Sequence, residues 1–179
     1  INYLNDRKNR LTSNNLIIGS SFSFSNKLKK NIYDNAFSEF KLKIELAGNI
    51  TNLTSNLFNV SKDEFGKNKV LGLTYSQFIK TETGYIKHWP IGLNSIIAFR
   101  SFFGIAIPFG NSNNIPFSKS FFAGGSNDNR AWEVYRLGPG SSEALSEFNE
   151  ANMKIAMNIE YRFKILGKLD GALFTDIGN

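Results

Sequence analysis

The sequence predicts an all-β fold, an antiparallel up-and-down sheet. Three observations carry that prediction. Apolar residues recur with a period of two along six stretches. The connections between these stretches alternate between short and long. No run of about 18 apolar residues is present, so no helix is expected to span a membrane.

Each strand follows from its own alternation. Residues 16–25 set Leu16, Ile18, Phe22 and Phe24 against Gly19, Ser21, Ser23 and Ser25. Residues 36–47 set Phe40, Leu42, Ile44 and Leu46 against Glu39, Lys41, Lys43 and Glu45. Residues 71–89 form the longest stretch, with Leu71, Leu73, Tyr75, Ile79, Tyr85 and Trp89 opposite Gly72, Ser76, Lys80, Glu82 and His88. Residues 95–107 place Ile97, Phe99, Phe103, Ile105 and Ile107 opposite Ile96, Ala98, Arg100, Phe102 and Gly104. Residues 152–163 place Met153, Ile155, Met157, Ile159, Tyr161 and Phe163 opposite Asn152, Lys154, Ala156, Asn158, Glu160 and Arg162. Residues 169–177 close the series, with Leu169, Leu173 and Ile177 opposite Asp170, Phe174 and Asp176. No convincing helix is predicted.

Two architectures share this pattern. In a soluble β-sandwich or small barrel the apolar face is the core. In an outer-membrane barrel it meets lipid, and the charged face lines the lumen. Three features favour the membrane. The strands reach the ten or so residues that a tilted span needs. Their apolar faces carry almost no charge, Lys87 being the exception. Aromatics such as Tyr85, Trp89, Tyr161 and Phe163 sit near strand ends, where an interfacial girdle would lie. The connections agree: 26–35, 90–94 and 164–168 are short, whereas 48–69 and 108–150 are long, as in a barrel with turns at one end and loops at the other.

Composition narrows the chemistry. The 179 residues contain no Cys, which excludes disulfides and thiolate metal sites. A single His weakens any imidazole-based triad or metal site. The net charge of +6 divides between inward-facing strand positions and loops, so it is not read as nucleic-acid binding. His88 beside Trp89 is read as an interfacial or lumen histidine, and Glu39 and Glu45 as charge partners of Lys41 and Lys43 along one strand. Asp128, two residues from Arg130, is expected to compete for it. The chain opens at Ile1 without a signal peptide, which suggests processing or a piece of something longer.

The long loop reads Phe121-Phe122-Ala123-Gly124-Gly125, then Ser126-Asn127-Asp128-Asn129, then Arg130-Ala131-Trp132, then Leu137-Gly138-Pro139. One strand and one short turn later comes Phe174-Thr175-Asp176-Ile177-Gly178. Together these resemble the long-loop and strand motifs of the outer-membrane assembly-factor superfamily, the BamA/TamA-like or bacterial surface antigen barrels. Ala131 stands where that family usually has Gly. The resemblance covers most of the chain.

The resemblance implies a transmembrane barrel of sixteen strands, of which residues 1–179 supply six as a partial barrel domain. It implies that the loop within 108–150 folds back inside the barrel, where Arg130 meets Asp176 on the lumen wall. The local pattern fits: Asp176 has the inward parity of Asp170, and a guanidinium takes a carboxylate through two parallel hydrogen bonds. Phe122, Gly124, Gly125, Trp132, Leu137, Gly138 and Pro139 are the loop-motif residues, and Phe174 and Gly178 flank Asp176 in the strand motif. The implied function is insertion or translocation of other polypeptides by an integral protein of the Gram-negative outer membrane, with no catalysis, metal or cofactor. The implied partners are outer-membrane lipid, unfolded outer-membrane or secreted polypeptide clients, and accessory assembly subunits. Two alternatives stand beside it: a barrel that anchors a patatin-like hydrolase domain lying upstream, and a soluble β-sheet binding module.

Overall fold

The computed structural model describes residues 14–31, 34–57, 60–138, 140 and 149–179. Strands β1 (Asn15–Leu16), β2 (Gly19–Lys29) and β3 (Phe37–Ala47) are followed by helix α1 (Asn49–Leu57). Then come β4 (Lys69–Val70), β5 (Leu73–Tyr75), β6 (Phe78–Pro90) and β7 (Ser95–Pro108), a 3-10 turn (Phe117–Lys119), β8 (Met153–Leu166) and β9 (Leu169–Gly178).

Six strands form one antiparallel sheet in the order β2-β3-β6-β7-β8-β9, so its neighbours follow one another in the chain. Among the described residues no closed barrel is seen. The register fixes its faces, because directly paired residues point the same way. Phe99 pairs with Ile159, Phe103 with Ile155, Tyr161 with Leu173 and Met157 with Ile177. On the other face Arg100 pairs with Asn158, which pairs with Asp176, while Glu160 pairs with Phe174. The apolar face is not a buried core: Ile159 is 50% and Leu173 67% exposed. That is the reverse of what a sandwich would show.

The chain divides into two compact units. One contains the segment ending at Phe22 with Ile44–Thr81 and Ala106–Ser120. Its core is Ala47, Tyr75, Phe78, Ala106 and Ile115, all buried. A second sheet of three short strands, β1-β5-β4, belongs to it, and β1 runs parallel to β5. The other unit contains Ser23–Lys43, Glu82–Ile105 and Phe121–Asn179. Here Phe121 packs edge-on against Phe102 at 6.1 Å. Gly104 leaves the space, since a Cβ there would lie 2.5 Å from the Phe121 ring.

Three expectations are corrected. The stretch 71–89 is two strands, not one, because the chain breaks at Ser76 and Gln77. Both are buried, and Gln77 holds neighbouring backbone: its carbonyl accepts from Phe109 N–H at 3.1 Å, its side-chain oxygen accepts from Asn111 N–H at 2.7 Å, and its own N–H donates to Ser112 Oγ at 2.8 Å. A helix, α1, stands where a loop over 48–69 is expected from the sequence. Nine Asn- and Thr-rich residues make a weak helix in isolation, but the Tyr75 hydroxyl donates to Asn52 Oδ1 at 2.9 Å and meets Ser55 Oγ at 3.1 Å. Its polar side therefore packs inward, with Thr51 and Ser55 buried and Ile50 and Leu53 exposed. Strand ends also shift: β2 runs on to Lys29 and β8 to Leu166, shortening the turns placed at 26–35 and 164–168.

Candidate functional site

The segment 121–138 is a folded loop rather than an extended connection. Phe121 exchanges backbone hydrogen bonds with Ala151 at 2.9 Å in both directions. Ala123 bridges to Leu137, and the Phe122 and Tyr135 rings lie 4.4 Å apart. Gly124 and Gly125 both have positive φ, 103° and 102°. A Cβ on Gly124 would stand 2.2 Å from the Glu133 carbonyl oxygen, so only glycine fits. Gly125 N–H then donates to the Trp132 carbonyl at 2.8 Å and closes the loop's tip. Ala131 is absent from the positive-φ positions among the described residues, which is why a side chain is tolerated there.

Arg130 leaves this tip towards the charged face of β8 and β9. Its Nε donates to Asp176 Oδ2 at 2.8 Å and its Nη2 to Oδ1 at 2.7 Å, a two-pronged pair. Its backbone N–H donates to Asp176 Oδ2 at 3.0 Å. Nη1 reaches Glu160 Oε2 at 2.5 Å, and the guanidinium carbon lies 3.6 Å from the centre of the Phe174 ring. The hydrogen bonds it donates to Asp176, then to Glu160, hold the Arg130 proton more tightly than usual, so the guanidinium stays charged. The side chains of Arg130, Glu160 and Asp176 are 25%, 18% and 7% exposed. Such a pair exceeds the ~0–1 kcal/mol of an exposed ion pair but falls short of the ~3–5 kcal/mol lost on breaking a fully buried one.

More side chains of the same face hold the loop. Lys154 Nζ donates to the Phe122 carbonyl at 2.7 Å and pairs with Asp128 at 2.9 Å. Asn158 Nδ2 donates to the Asp128 carbonyl at 2.7 Å and to Asp176 Oδ1 at 2.9 Å. An Arg100 Nη1 contact reaches the Asn127 carbonyl. Asp128 is thus no competitor for Arg130: its carboxylate is taken by Lys154 and by the Gly124 N–H at 2.8 Å.

The remaining sequence-predicted residues are placed as follows. Trp132 is half exposed, and its backbone N–H donates to the Asn129 carbonyl. Gly138 has φ 75°, and a Cβ there would stand 2.6 Å from Asn179 Oδ1. Pro139 lies outside the described residues. His88 packs against Phe37 at 4.3 Å. Glu39 pairs with Lys41 at 3.1 Å, as the strand pattern suggests, whereas Glu45 turns instead to Lys119 of the 3-10 turn. Sequence reasoning did not assign Arg100, Lys154, Asn158 and Glu160 to the loop. Their signal was inward parity, which they share with Asp176; what was missing was the register that sets them level with it.

A sheet with one apolar and one charged face, carrying a glycine-rich loop tied to the charged face through an arginine, has the features of an outer-membrane barrel wall of the assembly-factor type. The family model described as the Omp85 superfamily domain matches residues 4–179. The chain belongs to the Omp85 superfamily, whose members are in general outer-membrane proteins concerned with polypeptide assembly or translocation. A comparison with curated proteins finds no match.

Proposed function

We propose that this chain is part of an integral outer-membrane barrel of a Gram-negative bacterium that inserts or translocates other polypeptides. Its six long strands are read as a portion of a sixteen-strand barrel. Their apolar face meets lipid and their charged face lines the lumen. The work is mechanical rather than catalytic: the wall perturbs the bilayer and presents strand edges to an incoming hairpin. The partners are lipid, unfolded polypeptide clients and accessory assembly subunits.

The observation that carries this reading is the Arg130 guanidinium, bound at once by Asp176 and Glu160 and stacked on Phe174. A loop pinned through a charged pair to the inner face acts as a latch on the wall from which clients depart. The test is Arg130→Ala in the intact parent protein. Insertion of a model outer-membrane client into vesicles should fall while the barrel still folds. Full activity at normal expression would overturn the reading.

A further inference from the structure

The unit holding Arg130 also contains a cavity of about 260 Å³ between the loop tip and the charged face. Ala98 lines it, together with His88, Arg100, Glu160, Arg162 and the loop residue Asn127. The charges around it do not cancel. Arg100, Arg130 and Arg162 line it with the carboxylates of Asp128 and Glu160, while Lys154 and Asp176, one of each sign, pair with these residues from beyond the lining. Each carboxylate is committed: Asp176 to Arg130, Asp128 to Lys154, and Glu160 to Arg130 through one oxygen and to Arg162 Nε through the other, at 2.6 Å. Arg100 is left over. Its contact is the neutral Asn127 carbonyl, and among the described residues no carboxylate reaches it.

A guanidinium has five N–H donors in a planar fork, and one carbonyl uses only one of them. Arg100 is exposed, so water reaches it and its unused donors, rather than a dry setting, make it available to an anion. We propose that this cavity binds a carboxylate of a polypeptide, either an acidic side chain or a chain terminus, with Arg100 as the principal contact and Arg162 as the second. One excess positive charge matches a monoanion. Glu160 at the rim disfavours a more highly charged group such as a phosphate dianion. The volume of about 260 Å³ admits an acidic side chain or a chain terminus. The inference rests on the proposed handling of polypeptides, but the binding it describes is measurable without any insertion reaction.

The test is calorimetric titration of the full-length parent protein in detergent with four probes. These are an N-acetylated Gly/Ser hexapeptide with a free C-terminal carboxylate, its amidated form, an amidated form with one internal Glu, and inorganic phosphate. The free-carboxylate and internal-Glu peptides should bind saturably, and about 10-fold or more tighter than the neutral peptide. If only one of these two acidic peptides binds, it identifies whether terminus or side chain is the ligand. Arg100→Gln should weaken binding by about 10-fold. Because that change also releases Asn127, Ala98→Glu provides a second variant. It keeps Arg100 and offers it a carboxylate from the cavity wall, and it should block the peptides. Equal binding of the neutral peptide, unchanged affinity in both variants, or binding of phosphate without the peptides would overturn the proposal. Loss of insertion activity has no bearing on this result and speaks only to the latch.

Discussion

Gly178 gives Asn129 its place: a Cβ at position 178 would stand 2.4 Å from Asn129 Nδ2 and 2.9 Å from the Ile155 carbonyl oxygen. Asn129 is buried and immediately precedes Arg130. The Phe-x-Asp-x-Gly strand thus meets the loop at three levels on one face. Phe174 lies against the guanidinium, Asp176 binds it, and Gly178 clears space for the preceding residue.

Gly178→Ala should therefore push Asn129 out and loosen the tip of the loop without unfolding the sheet, at a cost of about 1–3 kcal/mol. Limited proteolysis of the intact parent reads this directly, as faster cleavage within 121–138. Unchanged cleavage would show that the crowding is relieved elsewhere.

The second prediction separates the two carboxylates on Arg130. Arg130→Ala removes every side-chain bond at once and leaves only the backbone N–H on Asp176; at about 1.5–3 kcal/mol for hydrogen bonds to charged groups, the undocked loop should become roughly 10–100 times more populated. Asp176→Ala should be milder, because Glu160 remains. The Arg130→Ala, Asp176→Ala double variant should add little to Arg130→Ala alone, as expected of residues acting through one interaction. Additive losses in a client-insertion assay would contradict a shared latch.

The third prediction concerns Gln77 in the other unit. Gln77→Ala leaves the Asn111 N–H without its acceptor, and should cost about 1–3 kcal/mol. Asn111 is itself bonded to Asn68 and to the Tyr75 carbonyl, with distances of 2.8–3.0 Å. Hydrogen exchange should accelerate at Phe109 and Asn111 while β8 and β9 remain protected. Uniform exchange across the chain would show that the two regions do not open separately.

The fourth prediction tests the lipid-facing assignment. Ile159→Arg places a charge on the apolar face of β8, paired with Phe99 and Thr175. Near the bilayer midplane this should cost about 2–4 kcal/mol. Denaturant titration of the parent folded into vesicles measures it. No loss of stability would rule out lipid contact at this position.

The faces of the sheet were legible from residue parity, and so was the meeting of Arg130 with Asp176 once the loop and strand motifs were set side by side. Alternation is a local property, and β7, β8 and β9 keep it over most of their length. The break at Ser76–Gln77 was not legible, because Ser76 keeps the polar parity and Gln77 is one polar residue at an apolar position between Tyr75 and Ile79, which does not by itself end a strand. Only the bonds from Phe109, Asn111 and Ser112, more than thirty residues away, turn that point into a junction. Helix α1 was hidden for a related reason: it is held by the hydroxyl of Tyr75, not by an apolar stripe facing inward.

The pairing of β8 with β9 sets Asn158 opposite Asp176 and Glu160 opposite Phe174. A slip of β9 by one residue would turn its whole inner set outward and bring Thr175 and Ile177 to the loop instead. Arg130 would then meet a hydroxyl and a hydrocarbon where it needs a carboxylate. The arginine can seat only when the two strands are correctly aligned, so a docked loop also reports that the hairpin beneath it has closed in the right frame.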